Sequence, residues 1–512
     1  MMCPVADLKH GADGLRLDEL ARELPMATRV VGDASVRVTG VRHDSRAVEP
    51  GDLFVARKGA RSDGARFVHE AILRGAVAVL VAPADGEVAS LPVPLLLVDD
   101  TATALAYASS AVYGHPSFSL DVVGITGTNG KTTTAHLVRA AVDGALGRPS
   151  CGVVGTVGNS FDGWRAEAEH TTPEADVLAR TMAAMRGRGA THVAMEVSSH
   201  ALALGRVRAV RFRVAALTNL TQDHLDFHES MTEYAASKAL LFTELGPGAV
   251  VLNVDDTFGQ RLVTQVRAPL VRVSARVGAD ADVVPLEASV SARGIRTRVR
   301  APAGEARIES RLVGAHNLEN LLLALGIVCA LDLDLARAAE ALSKEPGAPG
   351  RLERCDGDQD DVVVLVDYAH TPDALARALD AVREIATGRV WCVFGCGGDR
   401  DRAKREPMGE AVGRRADVAI VSNDNPRTED PRAIADAVAA GVRTAGKVPI
   451  VELDRRKAIE HAVRSASRGD VVLVAGKGHE DYQIVGTVKQ PFDDRIEVRR
   501  ALAERRGVPG RT

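Results

Sequence analysis

Cysteine is scarce, with six in 512 residues. That is too few for the disulfide framework that staples small secreted domains. Cys392 and Cys396 fall within "WCVFGCGG", a spacing that matches no common zinc pattern. Long hydrophobic runs are missing as well. The longest apolar stretches are strand-length, short of the roughly 20 residues that span a bilayer. The opening "MMCPVADLKHGADG" has no apolar segment of the kind a secretory leader needs. Neither sign of charge is in large excess. There are 64 Lys and Arg against 68 Asp and Glu, and the net charge of −4 leaves no nucleic-acid footprint. Fixed-period repeats and low-complexity tracts are absent too. The expectation is a cytoplasmic protein in a reducing compartment, with no membrane and no nucleic-acid partner. What is present is ordinary globular composition, 46% hydrophobic and 26% charged. At this length one core does not suffice, and about three domains are expected.

The pattern changes along the chain accordingly. Residues 1–99 mix short strands with a helix, and "VDDTAT" marks the boundary. Residues 100–347 open on the helix "TATALAYASSAVYG" and continue in strand–loop–helix units, with a β-rich stretch near 270–313 and a long apolar helix from Leu318 to about Leu331. "EPGAPG" (345–350) reads as a linker. Residues 348–512 carry four segments of one grammar: "VVVLVDYAHTPDAL", "VWCVFGCGGDRDR", "VAIVSNDNPRTED" and "VVLVAGKGHEDY". Each is a continuous apolar strand followed by a polar or Gly-rich loop, and the first three lead into helices. That grammar predicts a parallel sheet covered on both faces, with a shared site at the carboxyl ends of its strands. The fold class is therefore α/β.

"GITGTNGKTTT" (124–134) follows a buried strand and opens a helix. Gly127 and Gly130 allow a tight turn whose amides can face phosphate oxygens. Lys131 adds positive charge, and Thr132 offers a hydroxyl to Mg²⁺. The strict phosphate-loop pattern wants glycine five positions before Gly130, where Ile125 stands; Gly124 is one position early. Glu196 ends the strand "THVAMEV" and suits magnesium. His224, in "TNLTQDHLDFH", is equally a structural residue or a ligand on this evidence. In "SMTEYAASKALLF", Ser230 and Glu233 have capping-box spacing. Lys238, in the middle of that helix, is either a snorkelling surface lysine or, if buried, an amine that loses its proton easily and can take up CO₂ as a carbamate.

"SNDNPRTEDP" (422–431) presents Arg427 on a loop stiffened by Pro426. A guanidinium held this way can grip a carboxylate through paired hydrogen bonds. The plainer possibility is a surface ion pair with Glu429 or Asp430.

Taken together, "TGTNGKTTT", "MEVSSHAL", "TNLTQDHLDFH", "YAASKALLF", "GAHNLENLLLAL", "GRLE", "VDYAHTPDAL", "GCGGDRDR", "DNPRTEDP" and "GKGHEDYQ" resemble the Mur ligase family over nearly the whole chain. "HDSRAVEPGDLFVARKG" in the first region also resembles that family's uridine-nucleotide domain. The resemblance implies three domains: a smaller N-terminal α/β domain for the UDP-substrate, a central P-loop ATPase with a mainly parallel sheet, and a C-terminal Rossmann-like domain for an incoming amino acid. It implies an ATP-dependent amide ligase acting on UDP-N-acetylmuramoyl-L-alanyl-D-glutamate and meso-diaminopimelate, working as a monomer. L-Lysine as the amino acid, or a folylpolyglutamate-type synthetase, are the alternatives.

By the same resemblance, Gly127, Thr128, Asn129, Gly130, Lys131, Thr132, Thr133, Asn317, Arg351, Asp367 and His370 fall around ATP. Ser45, Thr171, Thr172, Ser198 and Arg206 fall on the UDP-sugar peptide. Arg400, Asp424, Asn425, Pro426, Arg427, Gly476 and Glu480 fall around the amino acid. Two Mg²⁺ ions are implied, one on Thr132 and Glu196, the other on His224 and a CO₂-derived carbamate of Lys238. Lys131, Lys238 and His224 are the implied catalytic residues. His170 and Leu204 depart from some relatives, which have Asn and Gln there, and this bears on the sugar-peptide contacts.

Overall fold

The structure is a computed structural model that describes residues 14–58, 63–83, 91–222 and 227–507. The chain divides into two compact units. One comprises residues 1–285, 300–306 and 320–341; the other comprises 286–299, 307–319 and 342–512.

Among the described residues the first unit holds two large sheets and a two-stranded one, Leu15–Arg16 with Arg37–Val38. The five-stranded sheet near the N-terminus runs in the order Arg29–Val31, Leu95–Leu97, Ala78–Val81, Asp52–Val55, Gly40–Arg42. All pairs but the first are parallel. The larger sheet has eight strands, of which six are parallel: Cys151–Gly155, His192–Glu196, Asp121–Thr126, Phe212–Leu217, Ala249–Asn253 and Leu270–Val273. The strand Asp121–Thr126 lies in the middle, between His192–Glu196 and Phe212–Leu217. Glu196 is in register with Ile125, so it stands beside the loop that follows Thr126. Gly124 lies inside this strand, where a Cβ would meet the Phe212 ring at 2.6 Å. It is a packing glycine, and the turn belongs to Gly127 and Gly130, with φ of 141° and 85°.

In the second unit the strand order is Glu353–Arg354, Val363–Asp367, Val471–Ala475, Val390–Phe394, Val418–Val421, Ile450–Val451. The four long strands are parallel, as their continuous apolar runs predicted. The physical reason is visible in the packing. Leu365, Cys392, Phe394 and Leu473 face one core with the helices Pro372–Ile385, Arg405–Arg415 and Pro431–Thr444. Val364, Val366, Val393, Val472 and Val474 face another with the helices Arg455–Ser465 and Asp494–Arg506. Both faces are buried, so there is no polar alternation. The last long strand enters between the first two, and its "GKGHE" loop consequently emerges among the other three loops. The β-rich stretch appears as strands Val284–Ser291, Gly294–Ala301 and Gly304–Ser310. The long apolar helix spans Ala315–Ala330, three residues earlier than expected.

Candidate active site

In the first unit, the phosphate loop is cross-braced before any ligand is considered. Gly130 caps the helix Lys131–Leu146 in a left-handed conformation. Thr128 Oγ1 donates to the Thr221 carbonyl at 3.0 Å, and the Asn129 amide donates to Asn219 Oδ1 at 3.0 Å. Thr218 Oγ1 donates to the Asn129 carbonyl at 2.6 Å. A Cβ on Gly127 would collide with Thr218 Oγ1. Lys131 Nζ reaches back to the carbonyls of Gly127 and Thr128, both at 2.8 Å. Thr133 is buried in the first turn of the helix.

Glu196 is 1% exposed. Its Oε2 accepts from Thr132 Oγ1 at 2.9 Å, and its Oε1 accepts from the Thr156 amide at 2.7 Å. A buried carboxylate next to a helix-start hydroxyl offers hard oxygen donors, so these residues fit Mg²⁺. His224 lies outside the described residues. Lys238 is 1% exposed, its Nζ donates to the Gly127 carbonyl at 2.8 Å, and it sits 4.6 Å from the centre of the Tyr234 ring. Burial removes the snorkelling alternative. Ser230 caps the helix Met231–Thr243, accepting from the Glu233 amide. The Glu233 carboxylate, however, accepts from Glu229 rather than from Ser230. The capping box is therefore shifted by one residue on that side.

The expected sugar-peptide residues form a second group. Thr172 Oγ1 donates to the Glu196 carbonyl at 2.8 Å and accepts from the Ser198 amide at 3.0 Å. Thr171 Oγ1 lies 3.1 Å from Thr156 Oγ1. Arg206 donates to the Thr172 carbonyl at 3.0 Å and pairs with Glu174 at 2.7 Å. Burial pulls the Arg206 guanidinium below its usual range, with Glu174 pulling the other way. Arg57 binds the second oxygen of Glu174 at 2.8 Å. Ser45 lies apart from this group, buried, and donates to Glu70 at 3.0 Å. His170 and Leu204 are both exposed.

In the second unit, Asn317 donates to the Val313 carbonyl at 2.8 Å. Asp367 accepts the amides of Leu352 and Ala369, both at 2.7 Å, so it ties two loops together. Burial pushes its carboxyl above the usual range, against the pull of Arg351. The Arg351 guanidinium lies over the Tyr368 ring at 5.3 Å. His370 Nδ1 is 2.8 Å from the Tyr368 carbonyl, which makes Nδ1 the protonated nitrogen.

The other predicted loops interlock. Asp424 and Asn425 are buried, as is Pro426. Asn425 Nδ2 donates to Glu480 Oε2 at 3.0 Å. Gly476 has φ of 118°, and a Cβ there would sit 2.7 Å from Asp424 Oδ2. Arg427 occupies the left-handed region at φ 52°, an uncommon conformation for a non-glycine residue. Its amide donates to the Ile484 carbonyl at 3.1 Å, and its carbonyl accepts from Gly486 at 2.8 Å. Its Nη1 donates to the Gly398 carbonyl at 2.8 Å. Glu429 instead pairs with Arg405 and Arg402, and Asp430 caps the helix Pro431–Thr444. Both acids are engaged elsewhere, which removes the surface-pair alternative for Arg427. Arg400 is exposed on the neighbouring loop.

Three family models match the chain: "Mur ligase family, catalytic domain" over residues 37–113, "Mur ligase middle domain" over 125–328, and "Mur ligase, glutamate ligase domain" over 350–478. A relative from Gloeobacter violaceus is 46% identical over 493 residues, 96% of this chain and 99% of its own. The chain belongs to the Mur ligase family. That relative is named UDP-N-acetylmuramoyl-L-alanyl-D-glutamate–2,6-diaminopimelate ligase, and so is one from Streptomyces coelicolor, 46% identical over 96% of this chain and 97% of its own. A solved structure of a ligase of the same name superimposes with a TM-score of 0.70 at 31% identity, covering 97% of this chain and all of that one.

Within this Mur ligase, several residues of the site went unpredicted. Thr156 fixes Glu196, Glu174 joins Arg57 to Arg206, and Lys477 is buried beneath Asn425. "HTTPEAD" and "GKGHE" carried the only local signal for the last two. His479 is a further case. It packs 4.9 Å from the Tyr368 ring. Burial, with Arg351 and Arg495 adding to it against Asp481, lowers its pKa to about 4. The unfolded chain protonates this histidine near pH 6.5, so between that pH and about 4 it binds more protons than the folded chain does. Stability from His479 is thus complete above pH 6.5 and is lost as pH falls toward 4. We expect His479→Gln to show a smaller drop in melting temperature between pH 7.5 and 5.0 than wild type. An equal drop in both proteins counts against the assignment.

Proposed function

We propose that this chain is an ATP-dependent ligase joining meso-2,6-diaminopimelate to the D-glutamyl γ-carboxylate of UDP-N-acetylmuramoyl-L-alanyl-D-glutamate, in peptidoglycan precursor synthesis. The observation that carries the reading is 46% identity, over 96% of the chain, to ligases of that name. The braced phosphate loop beside Glu196 and the preformed Arg427 loop support it. In this reading the protein is a cytoplasmic monomer. Among the described residues no helix is long and apolar enough to cross a membrane. The domains are 1–99 for the UDP-substrate, 100–347 for ATP and 348–512 for the amino acid.

A carboxylate does not accept an amine directly, because oxide is a poor leaving group. Transfer of the γ-phosphoryl group to the glutamyl carboxylate makes an acyl phosphate. The amine then attacks, and phosphate leaves from a tetrahedral intermediate. The first step brings two anions together, so positioning and charge neutralisation dominate. Lys131 exchanges its loop carbonyls for phosphate oxygens. The amides from Gly130 to Thr133, at the start of the helix, cradle the same group, and Thr132 and Glu196 would hold Mg²⁺. When bound there, the metal supplies positive charge to the β- and γ-phosphates. A carbamate on Lys238, with His224, is proposed as the second metal site. Asn317, Arg351, Asp367 and His370 are proposed to serve ATP. Ser45, Thr171, Thr172, Ser198 and Arg206 are proposed to serve the sugar peptide.

An amino-acid panel with UDP-N-acetylmuramoyl-dipeptide and ATP, read as phosphate release, tests the substrate. Diaminopimelate differs from L-lysine by a distal carboxylate, which Arg427 is proposed to receive. Each charged hydrogen bond contributes about 1.5–3 kcal/mol, so wild type should reject lysine by about a hundredfold or more in kcat/KM. Arg427→Ala should lose most diaminopimelate activity and narrow that gap. Unchanged selectivity in the variant would place the discriminating contact elsewhere.

A further inference from the structure

Lys477 lies between Gly476 and Glu480, yet the reading above gives it no role. Its side chain is 0% exposed. A lysine in a Gly-rich loop ordinarily keeps its ammonium in water, and a buried one requires partners. The partners here are residues of the proposed amino-acid pocket. Nζ is 3.1 Å from Asn425 Oδ1, 3.3 Å from Glu480 Oε2 and 3.7 Å from Asp424 Oδ1. The Tyr482 ring closes the other side at 5.6 Å.

We infer that Lys477 is a positioning residue of the amino-acid pocket, locking Asn425 and Glu480 into one acceptor for the ammonium group of the incoming amino acid. The inference rests on the ligase reading proposed above.

Asn425 shows how the lock works. Its Oδ1 accepts from Lys477 and from the Ile484 amide at 2.9 Å. Both neighbours can only donate, so the amide cannot turn over, and Nδ2 must face Glu480. Nδ2 and Nζ then donate to the same oxygen, Glu480 Oε2. The other oxygen, Oε1, has no hydrogen bond among the described residues, and the side chain keeps 18% exposure. One oxygen of Glu480 is thereby anchored and the other left to accept from a ligand.

The charges agree. Arg455 and Asp494 form a closed bidentate pair, both 0% exposed. What remains is one cation, Lys477, facing two carboxylates, Asp424 and Glu480. The cluster thus holds one uncompensated negative charge, which suits an ammonium ligand. Without Lys477 the two carboxylates repel, and Asn425 and Glu480 lose the shared donor that fixes them against each other.

The test is steady-state kinetics of wild type, Lys477→Met and Lys477→Gln with the amino acid that wild type adds in the panel assay. Loss of a buried charged donor should raise KM for that amino acid by about a hundredfold in Lys477→Met. Lys477→Gln keeps a donor without the charge and should fall between the two. KM for ATP should stay within about twofold, because only amino-acid binding is affected. Thermal melting reports folding, and Lys477→Gln carries the test if Lys477→Met does not fold. An unchanged amino-acid KM in a folded variant overturns the inference. So does an equal rise in both KM values, which is the mark of a merely structural role. If wild type adds an amino acid other than diaminopimelate, only the substrate reading falls. If wild type adds none, the ligase reading and this inference fall together.

Discussion

Lys131→Ala should lower turnover by about a thousandfold or more while leaving a folded protein. The fold survives because Lys131 is the first residue of its helix and is only half-buried. Its Nζ donates to the carbonyls of Gly127 and Thr128, at 2.8 Å each. Bonds of this kind contribute about 1 kcal/mol apiece, a modest share of the roughly 5–15 kcal/mol that holds a domain folded. The braces at Thr128, Asn129 and Thr218 remain and keep the loop in shape. Catalysis has no such reserve. In the transition state the transferring phosphoryl group approaches a carboxylate, and the loop's own cation has been removed. Phosphate release with all three substrates, beside a thermal melt, measures both halves. Near-normal turnover of a folded variant would refute the phosphate-loop assignment.

Lys238→Ala should be nearly inactive, and short carboxylic acids such as formate or acetate should restore part of the activity. Lys238 is buried and its Nζ reaches the carbonyl of Gly127, the residue that opens the phosphate loop. Two roles fit that position. A plain ammonium would brace the loop, and a carbamate would add anionic oxygens for metal. Rescue by small molecules separates them. A small acid replaces missing oxygens but not a missing cation, so rescue by formate with no rescue by methylamine supports the carbamate. Rescue by the amine alone would support the brace. The expected loss is on the order of a hundredfold or more, because the carbamate would hold the metal whose charge neutralises the transferring phosphoryl group.

The legible parts of this molecule were those whose signal is local. The strands of the second unit could be read because two buried faces leave no room for polar alternation. The strand, glycine turn and helix leading to Lys131 could be read despite Ile125, because they follow in order. The capping box was half legible: Ser230 does cap, but Glu233 reaches the residue before it. Lys238 was ambiguous, since nothing in its helix says which face is buried; Tyr234 and Leu241 on the same face decide it. For Lys477, "GKGHE" marked a loop but not the burial of its lysine. Its burial follows from where the strand Val471–Ala475 enters the sheet, and strand order is not written in any short segment. Thr156 and Glu174 escaped for the same reason, since their partners are distant in sequence.

The backbone of Arg427 is pinned from outside its own motif, by Ile484 and Gly486 on a hairpin far downstream. The side chain of Asn425 is likewise anchored to Ile484. The segment proposed to choose the amino acid is therefore inherited in two pieces. A recombination point anywhere between residues 431 and 481 divides them, and a transplanted "DNPR" loop arrives without the scaffold that shapes it. Changing the substrate of such an enzyme by grafting requires moving loop and hairpin together.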